Sequence, residues 1–386
     1  MIDTALDYTA ILALMSALLF GAERMYKSRL WDYVPAIVLL YFGVMLASTF
    51  GLWAHNDATT QAYKTLKSAL LPMMIFLLLL RADMRLVLRL GPKLLFAFFF
   101  ASFSIALGFG VMFALMGDRF PPDAWKAFGA LAGSWMGGTG NMVAVQGALN
   151  LPDSALGYTL LIDSIDYALW VMMLLLLVPY APRFNRFTQA DTTLIDDAAK
   201  RIETLEEDET YAAAKSFVLV ALALCAAALS QTLAHVLPTW SFFGTTAWTV
   251  VVATFLGIVG ALTPLGRWSQ SAPMGQAMLF MLVALIASRA NFAELTQAPL
   301  YILAGLVILS VHAATMVLFA KLFKLDLFTV AVASLANIGG IASAPILASA
   351  YARTLIPVGV VMALLGYVVG TFGGLAVAAM LRAIVS

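Results

Sequence analysis

Long apolar runs separated by short polar breaks recur along the whole chain. A run of about 18 or more apolar residues predicts a helix that spans a lipid bilayer. The pattern therefore predicts an all-α polytopic membrane protein with about 11–12 transmembrane helices. The twelve apolar segments are 7–24, 33–53, 63–81, 92–116, 124–149, 155–180, 215–237, 245–263, 273–289, 297–321, 326–350 and 354–384.

A polar linker, residues 181–214, separates a first transmembrane half, 1–180, from a second, 215–386. We interpret it as a solvated, partly helical connector. The two halves resemble each other. In each half an apolar run is closed by an arginine, Arg81 or Arg289, and the second segment after it is interrupted by glycines. The chain is therefore expected to contain two structurally repeated halves.

The interrupted segments are 124–149, with "GSWMGGTGNMVAV", and 326–350, with "ASLANIGGIASAP". A mid-helix glycine costs about 1 kcal/mol relative to alanine, so such clusters need a reason. Small residues can simply let helices pack closely. However, unwound backbone is tolerated within a membrane where it lines a cavity, and matched broken helices mark the binding site of a secondary transporter. We therefore expect one broken crossing helix in each half, with the two breaks close together.

The basic loops predict part of the orientation of the chain across the membrane. The loops after the first and third segments are rich in arginine and lysine, which predicts that they are cytoplasmic and that the amino terminus is outside. Twelve crossings would place the loop with Lys321 and Lys324 outside, and would make both broken helices run in the same direction. We expect inverted repeats, and hence one segment in 181–263 that is not a simple crossing. The basic residues of the loops after the first and third segments are Arg24, Lys27, Arg29, Arg81, Arg85, Arg89 and Lys93.

The composition and net charge limit the kinds of partner that can be expected. Hydrophobic residues make up 62% of the chain and charged residues 11%, against roughly 25% charged in soluble proteins. The net charge of +1 gives no reason to expect nucleic acid as a partner. The acidic start "MIDTALD" does not look like a cleavable signal peptide, and the lone Cys225 is expected to be inert packing. The expected partners are the lipid bilayer and a small-molecule substrate.

Ionisable side chains inside spans are costly and therefore suggest function. Asp163 and Asp166 follow the first interrupted segment, and their spacing of three puts them on one helical face. We predict that they couple transport to a cation, either a proton or sodium. His312, in the middle of a span, is either a proton relay or a hydrogen-bonded core histidine.

Neutral polar groups and glycines at the breaks are predicted to bind substrate or ion. No cofactor is expected beyond a sodium ion, for which Asp163, Asn141 and Asn337 are candidate ligands. Gln146 and Gln276 are weaker candidates, while Arg81 and Arg289 either mark the membrane edge or bind a carboxylate. The predicted residues at the breaks are Ser134, Gly137, Gly138, Thr139, Asn141, Asn337, Gly339, Gly340 and Ser343.

Nearly the whole chain is similar to the bacterial membrane family known as domain of unknown function 819. The resemblance is carried by "GSWMGGTGNMVAVQGALNLPDSALGYTLLIDSIDYALW" and "ASLANIGGIASAPILASAYARTLIPVGVVMALLGYVVGTFGG". More distantly, the paired broken helices resemble those of bile-acid/sodium symporters and sodium/proton antiporters. That resemblance implies a core that moves like an elevator against a homodimeric scaffold formed by segments such as 7–53 and 215–263. It also implies that an acid after the first broken helix, Asp163 or Asp166, binds the cation.

These observations predict a multi-pass protein of the bacterial inner membrane that is a cation-coupled secondary transporter. Its substrate would be a small polar organic solute, such as an organic anion, an amino acid or a peptide. One alternative is a sodium/proton antiporter without an organic substrate. Another is an intramembrane enzyme using the aspartate pair, which is disfavoured because both acids lie on one helix. The chain contains no Walker sequence, His-Glu-x-x-His sequence or cysteine cluster, so we expect neither ATP drive nor a metal enzyme.

Overall fold

The computed structural model describes residues 2–26, 35–82, 84–190, 211–239, 244–291 and 298–385. Within these ranges the chain forms helices joined by short turns, together with an isolated bridge between Ile2 and Trp53. Seven of the described helices are long and apolar enough to cross a membrane, and four shorter apolar helices accompany them. The prediction of an all-α polytopic membrane protein is therefore confirmed.

The α-helices are numbered here in chain order. They are α1 (Ala5–Met25), α2 (Ala36–Thr49), α3 (Asp57–Leu79), α4 (Met84–Arg89), α5 (Pro92–Met116), α6 (Ala124–Gly137), α7 (Thr139–Ala148), α8 (Leu156–Leu177), α9 (Ala181–Thr188), α10 (Ala212–Val236), α11 (Thr245–Ala261), α12 (Ser271–Ala287), α13 (Ala298–Phe323), α14 (Leu327–Ile338), α15 (Gly340–Tyr351) and α16 (Ile356–Val385). Every predicted apolar segment coincides with one or two of them. Residues 191–210 of the predicted linker, and Lys27 and Arg29, lie outside the described residues.

Polar side chains cap the starts of α3 and α14. Asn56 accepts the Thr59 N–H through its side-chain oxygen at 2.9 Å at the start of α3. Asp326 accepts the Thr329 N–H at 2.7 Å at the start of α14. Each side chain thus satisfies a backbone donor that the first turn of a helix leaves without an intrahelical partner.

The helices pack as two groups. The scaffold group contains α1, α2, α3, α10, α11 and α12, in which α3 packs against α10, α11 and α12. The core group contains α5 to α8 and α13 to α16, in which α16 packs most extensively against α6, and α5 against α13. Each half of the chain therefore supplies the first three of its long helices to the scaffold group and the later ones to the core group.

The first interrupted segment turns back on itself. The break is at Gly138, whose φ of +91° is readily adopted only by glycine. A Cβ built on Gly133 of α6 would lie 2.9 Å from a methyl group of Val145 in α7, and one built on Gly129 would lie 3.3 Å from Leu149. Because α7 runs back along α6, the pair forms a re-entrant hairpin that begins and ends on the same side.

The second interrupted segment has the same form. Its break is at Gly339 and Gly340, and Gly340 has a φ of +57°. The ring of Tyr351, the last residue of α15, lies 5.3 Å from the ring of Phe328 in the first turn of α14. Such contact between residues far apart in sequence requires α15 to fold back along α14. Both predicted interruptions are thus present, but the half-helices return instead of continuing across.

The two hairpins enter from opposite ends of α5. At the start of α5, Lys93 pairs with Asp326, the residue that caps α14, at 3.4 Å. Near the end of α5, the ring of Phe113 lies 5.9 Å from the ring of Phe128 in α6. We call the Lys93 end the basic face. We call the Phe128 end the terminal face, since Arg382 near the carboxyl terminus lies there, 5.7 Å from the Trp125 ring.

This arrangement corrects the count of crossings. Apart from the four hairpin helices and the short α4 and α9, the described helices run between the two faces. The hairpins therefore add no crossing, and the discrepancy does not lie in the region 181–263 as predicted. Lys321 and Lys324 consequently lie on the basic face with the carboxyl ends of α1 and α3, and α6 and α14 run in opposite directions.

Candidate functional site

A cavity of about 290 Å³ lies where the two hairpin tips meet the scaffold group. It is bounded by both breaks, by α8 and α16 of the core group, and by α1, α2 and α12 of the scaffold group. Glu23, Pro35 and Gln276 in its lining lie toward the basic-face ends of scaffold helices, so the cavity extends from the hairpin tips toward that face. Its polar or tip residues include Glu23, Ser134, Gly138, Thr139, Gly140, Asp163, Ser164, Tyr167, Gln276, Gly339, Gly340 and Tyr367.

The hairpin tips converge on α16. A Cβ built on Gly366 would lie 3.1 Å from the Met136 carbonyl oxygen and 3.2 Å from the Ala336 carbonyl oxygen, so these oxygens are at most about 6.3 Å apart. The structure thus brings the two breaks together from opposite faces. The first N–H groups of α7 and α15 have no intrahelical partner, so the tips can offer backbone donors as well as carbonyl acceptors to a ligand.

Asp163 is the predicted acid that reaches the cavity. It lies on α8, and its carboxylate accepts a hydrogen bond of 2.9 Å from the Ser134 hydroxyl on α6. The indole of Trp135 lies beside it. The residue is half-buried and no lysine or arginine is among the described residues that line the cavity. A carboxylate in this position can take a proton or bind a cation directly beside the exposed backbone.

Asp166 is separated from Asp163. Its side chain is fully buried, and neither carboxyl oxygen has a hydrogen-bond partner among the described residues. A Cβ built on Gly305 of α13 would overlap the Asp166 carboxyl group. Asp166 therefore packs against α13, whereas Asp163 faces the cavity, and the structure does not bring the two acids together as a pair.

His312 is held inside the core group. Its Nδ1 lies 2.6 Å from the Ser104 hydroxyl and its Nε2 lies 2.8 Å from the Ser334 hydroxyl. Trp170 donates to Ser334 at 2.9 Å, and Ser104 donates to the Ala101 carbonyl at 2.8 Å. Every donor has an acceptor when the protons are placed so that Ser334 donates to His312 Nε2 and the His312 Nδ1–H donates to Ser104. The network therefore favours neutral His312 as a link between helices outside the cavity.

The side chains of Asn141 and Asn337 also form hydrogen bonds where helices pack together. Asn141 donates to the Gly137 carbonyl at 2.7 Å and accepts from the Thr371 hydroxyl at 2.6 Å. Asn337 donates to the carbonyl four residues before it at 2.9 Å and accepts from the Ser102 hydroxyl at 2.7 Å. Both amides are buried and neither lines the cavity, so the structure does not present them as sodium ligands.

The other predicted residues fall into two sets. Ser134, Gly138, Thr139, Gly339 and Gly340 line the cavity. Gly137 and Ser343 instead pack behind the tips: a Cβ on Gly137 would overlap the Asn141 amide, and Ser343 is buried beside Gly339.

Of the weaker candidates, only Gln276 lines the cavity, where it accepts a hydrogen bond from Arg24. Gln146 donates to Asp153 at 3.0 Å and Arg289 stands 3.0 Å from His55, and both sites are toward the terminal face. Arg81 follows α3 at the basic face. The two matched arginines therefore lie on opposite faces and outside the cavity lining.

The sequence did not identify four polar side chains of the cavity lining: Glu23, Ser164, Tyr167 and Tyr367. Tyr167 and Tyr367 share a signal that could have found them, since each is the twelfth residue of the helix that follows a hairpin. No group of three metal-ligating side chains occurs among the residues that the structure describes.

Taken together, these features define a class of protein: a polytopic helical membrane protein with two re-entrant hairpins that meet at a polar cavity. The family described as Protein of unknown function (DUF819) matches residues 10–384, and the chain belongs to this family. The chain is also 26% identical over 381 residues to a Bacillus subtilis protein named Uncharacterized membrane protein YjcL. That alignment covers 94% of this chain and 93% of the relative.

Proposed function

We propose that the protein is a cation-coupled secondary transporter that carries a small polar organic solute by elevator-like movement of the core group against the scaffold group. The observation that carries the proposal is the cavity where both hairpin tips, Asp163 and the scaffold helices meet. Exposed half-helix ends at a polar cavity are typical of transporter binding sites. Elevator-like movement is what the resemblance expected from the sequence, to bile-acid/sodium symporters and sodium/proton antiporters, would imply.

The coupling group of the proposal is Asp163. An unpaired carboxylate inside a membrane is costly, and proton or cation binding removes that cost. Because Asp163 is on the core group and faces the scaffold group, movement of the core would carry the charge past apolar residues such as Leu279 and Phe280. The proposed transporter therefore changes its access only when Asp163 is neutralised.

The basic residues indicate the orientation of the protein in the membrane, and the direction of the cavity indicates its conformational state. Arg85, Lys93 and Lys321, at the ends of helices, lie on the basic face, which we assign to the cytoplasm by the positive-inside rule. The cavity extends toward this face, so the proposed state is inward-facing. The opposite directions of α6 and α14 support an inverted repeat, and we propose the bacterial inner membrane as the location and a scaffold-mediated homodimer as the assembly.

The charges of the lining favour a substrate that carries an amine. Asp163 and Glu23 are the charged side chains of the described lining, and the rings of Tyr167 and Tyr367 flank the tips. Carboxylates and aromatic faces attract ammonium groups. The volume of about 290 Å³ suits a small solute, so we propose an amino acid or small peptide ahead of a simple organic anion.

The test is solute flux into proteoliposomes under an imposed proton or sodium gradient, across amino acids, dipeptides, amines and organic acids. We expect concentrative uptake of an amine-bearing solute. Asp163→Asn should abolish gradient-driven uptake but leave solute exchange, because the asparagine resembles the neutralised acid. Asp123→Asn is the matched control, since Asp123 is exposed at the terminal face. Undiminished uptake by Asp163→Asn would contradict the coupling role.

The same assay addresses the alternatives. A sodium/proton antiporter without organic substrate would show ion exchange but no solute uptake. An intramembrane aspartyl enzyme needs two facing acids, and Asp163 and Asp166 instead contact different helices. We therefore propose that the chain is not an enzyme.

A further inference from the structure

One carboxylate joins the two helix groups near the terminal face. Asp153 lies between α7 and α8 in the core group, in a short 3-10 turn. On α3 of the scaffold group, Lys67 pairs with its Oδ1 at 2.7 Å and the Tyr63 hydroxyl donates to its Oδ2. Tyr41 of α2 donates to its backbone carbonyl at 3.1 Å. A single core residue therefore accepts three bonds from the scaffold.

Other polar and charged groups surround these hydrogen bonds. Within the core, Gln146 also donates to Asp153 Oδ1, at 3.0 Å. On the scaffold side, the Arg289 guanidinium lies 5.1 Å from the centre of the Tyr63 ring. Burial and the charge of Arg289 lower the pKa of His55, whose Nδ1 lies 3.0 Å from the Arg289 guanidinium.

The position of these bonds opposes outward opening. The cavity extends from the hairpin tips toward the basic face, whereas the bonds to Asp153 are made on the other side of the tips. A core group that moved to open the terminal face would have to separate Asp153 from Lys67, Tyr63 and Tyr41. The Lys67 and Asp153 side chains are 25% and 16% exposed, so the pair is shielded from water more than a surface ion pair is.

We propose that Asp153 and its scaffold donors form a latch that holds the terminal face closed and sets the balance between inward-facing and outward-facing states. The proposal rests on the alternating access of the proposed function. It assigns Asp153 and Lys67 to gating and not to solute or ion binding. Loss of the latch should therefore shift the population toward the outward-facing state without removing the cavity residues.

Cys225 is exposed on α10 and is not packed as predicted, so the experiment measures thiol labelling in a Cys225→Ser background. Val38→Cys reports on the cavity, and Ala148→Cys reports on the buried end of α7 near the terminal face. With Asp153→Asn or Lys67→Met, we expect Val38→Cys to label several-fold more slowly and Ala148→Cys several-fold faster than in the parent. A change of about tenfold would correspond to an interaction of roughly 1.4 kcal/mol.

Two further variants make the test specific. The exchange of charges, Lys67→Asp with Asp153→Lys, should return both labelling rates toward those of the parent. Asp123→Asn breaks a pair with Lys126 within the core group on the same face, at 3.3 Å, and should change neither rate. A shift of the same size with Asp123→Asn, or none with Asp153→Asn, would overturn the latch.

The outcomes also separate the latch from the proposed function. If proton or sodium gradients change the labelling of the parent reporters but Asp153→Asn does not, alternating access stands and the latch is wrong. If neither gradients nor solutes change the labelling of any variant, the proposed transporter mechanism fails and the latch fails with it.

Discussion

The contact between α16 and the first hairpin should tolerate no added methyl group. Three glycines of α16, at positions 366, 370 and 374, recur every four residues and so lie on one face of the helix. A Cβ built on Gly370 would lie 2.7 Å from the Gly137 Cα and 2.8 Å from the Asn141 amide. The small residues therefore allow two backbones to approach directly.

The size of the effect follows from these distances. Ordinary Cβ contacts begin at 3.4 Å, so Gly370→Ala must separate the helices by at least about 0.7 Å. The neighbouring atom is backbone, which cannot rotate away, and overpacking of this kind costs about 1–3 kcal/mol. The shift also strains the buried hydrogen bond between Thr371 and Asn141, whose loss would cost roughly 1 kcal/mol more. We expect a destabilisation of about 2–4 kcal/mol.

The assay is reversible unfolding by sodium dodecyl sulfate in mixed micelles, with solute uptake measured on the same variants. Gly43→Ala in α2 is the matched control, since a Cβ there would meet no atom within 4 Å. That control should be neutral or more stable by roughly 0.5–1 kcal/mol, because alanine is the better helix former. If Gly370→Ala unfolds at the same detergent fraction as Gly43→Ala, the close approach of α16 and the hairpin is wrong.

Two buried groups give further predictions. His312→Phe should lower the free energy of unfolding by about 1–3 kcal/mol, because the Ser334 hydroxyl loses its acceptor. It should not move the pH profile of uptake, and a shifted profile would restore His312 as a proton relay. Asp166→Asn should fold and transport as the parent does. Gly305→Ala should unfold more easily, because its methyl group would overlap the Asp166 carboxyl group. Equal unfolding midpoints for Gly305→Ala and the parent would contradict that packing.

The apolar segments were predictable because the bilayer dictates them. A helix within lipid must satisfy its backbone hydrogen bonds internally and present apolar side chains to the lipid. The hydropathy pattern of the sequence therefore predicts its length and position. The predicted segment 92–116 is α5 to the residue. Even the short helix α7 lies within a predicted segment, and α15 extends only one residue beyond one, because the hairpins are buried within an apolar core.

The reversal at each break was not predictable from hydropathy. An interruption shows where a helix ends, but a continuing helix and a returning one need the same apolar residues. The informative signal was charge, since Lys321 and Lys324 fell on the wrong side of a count of twelve crossings. Two reversals, one in each half, restore these lysines to the basic face and make the hairpins antiparallel. The contradiction was real, but its source lay in the interrupted segments and not in 181–263.

The site was predictable only in part, because neighbouring positions on one helix can face different partners. Residues three apart are separated by about 60° around a helix, which is enough to turn Asp163 to the cavity and Asp166 to α13. The asparagines were misleading for another reason. Asn141 and Asn337 are needed to satisfy backbone and hydroxyl groups where the hairpins pack, so their polarity reports on the fold.

The two tyrosines of the cavity show how the halves depend on each other. Tyr367, on the helix after the second hairpin, packs on Gly138 of the first hairpin, where a Cβ would lie 3.6 Å from its ring. Tyr167, on the helix after the first hairpin, packs on Gly339 of the second. Each break is therefore covered by a side chain from the other half of the chain. Because the exposed backbone of each tip needs the opposite half to enclose it, neither half can form the cavity alone, and the proposed core must move as one unit.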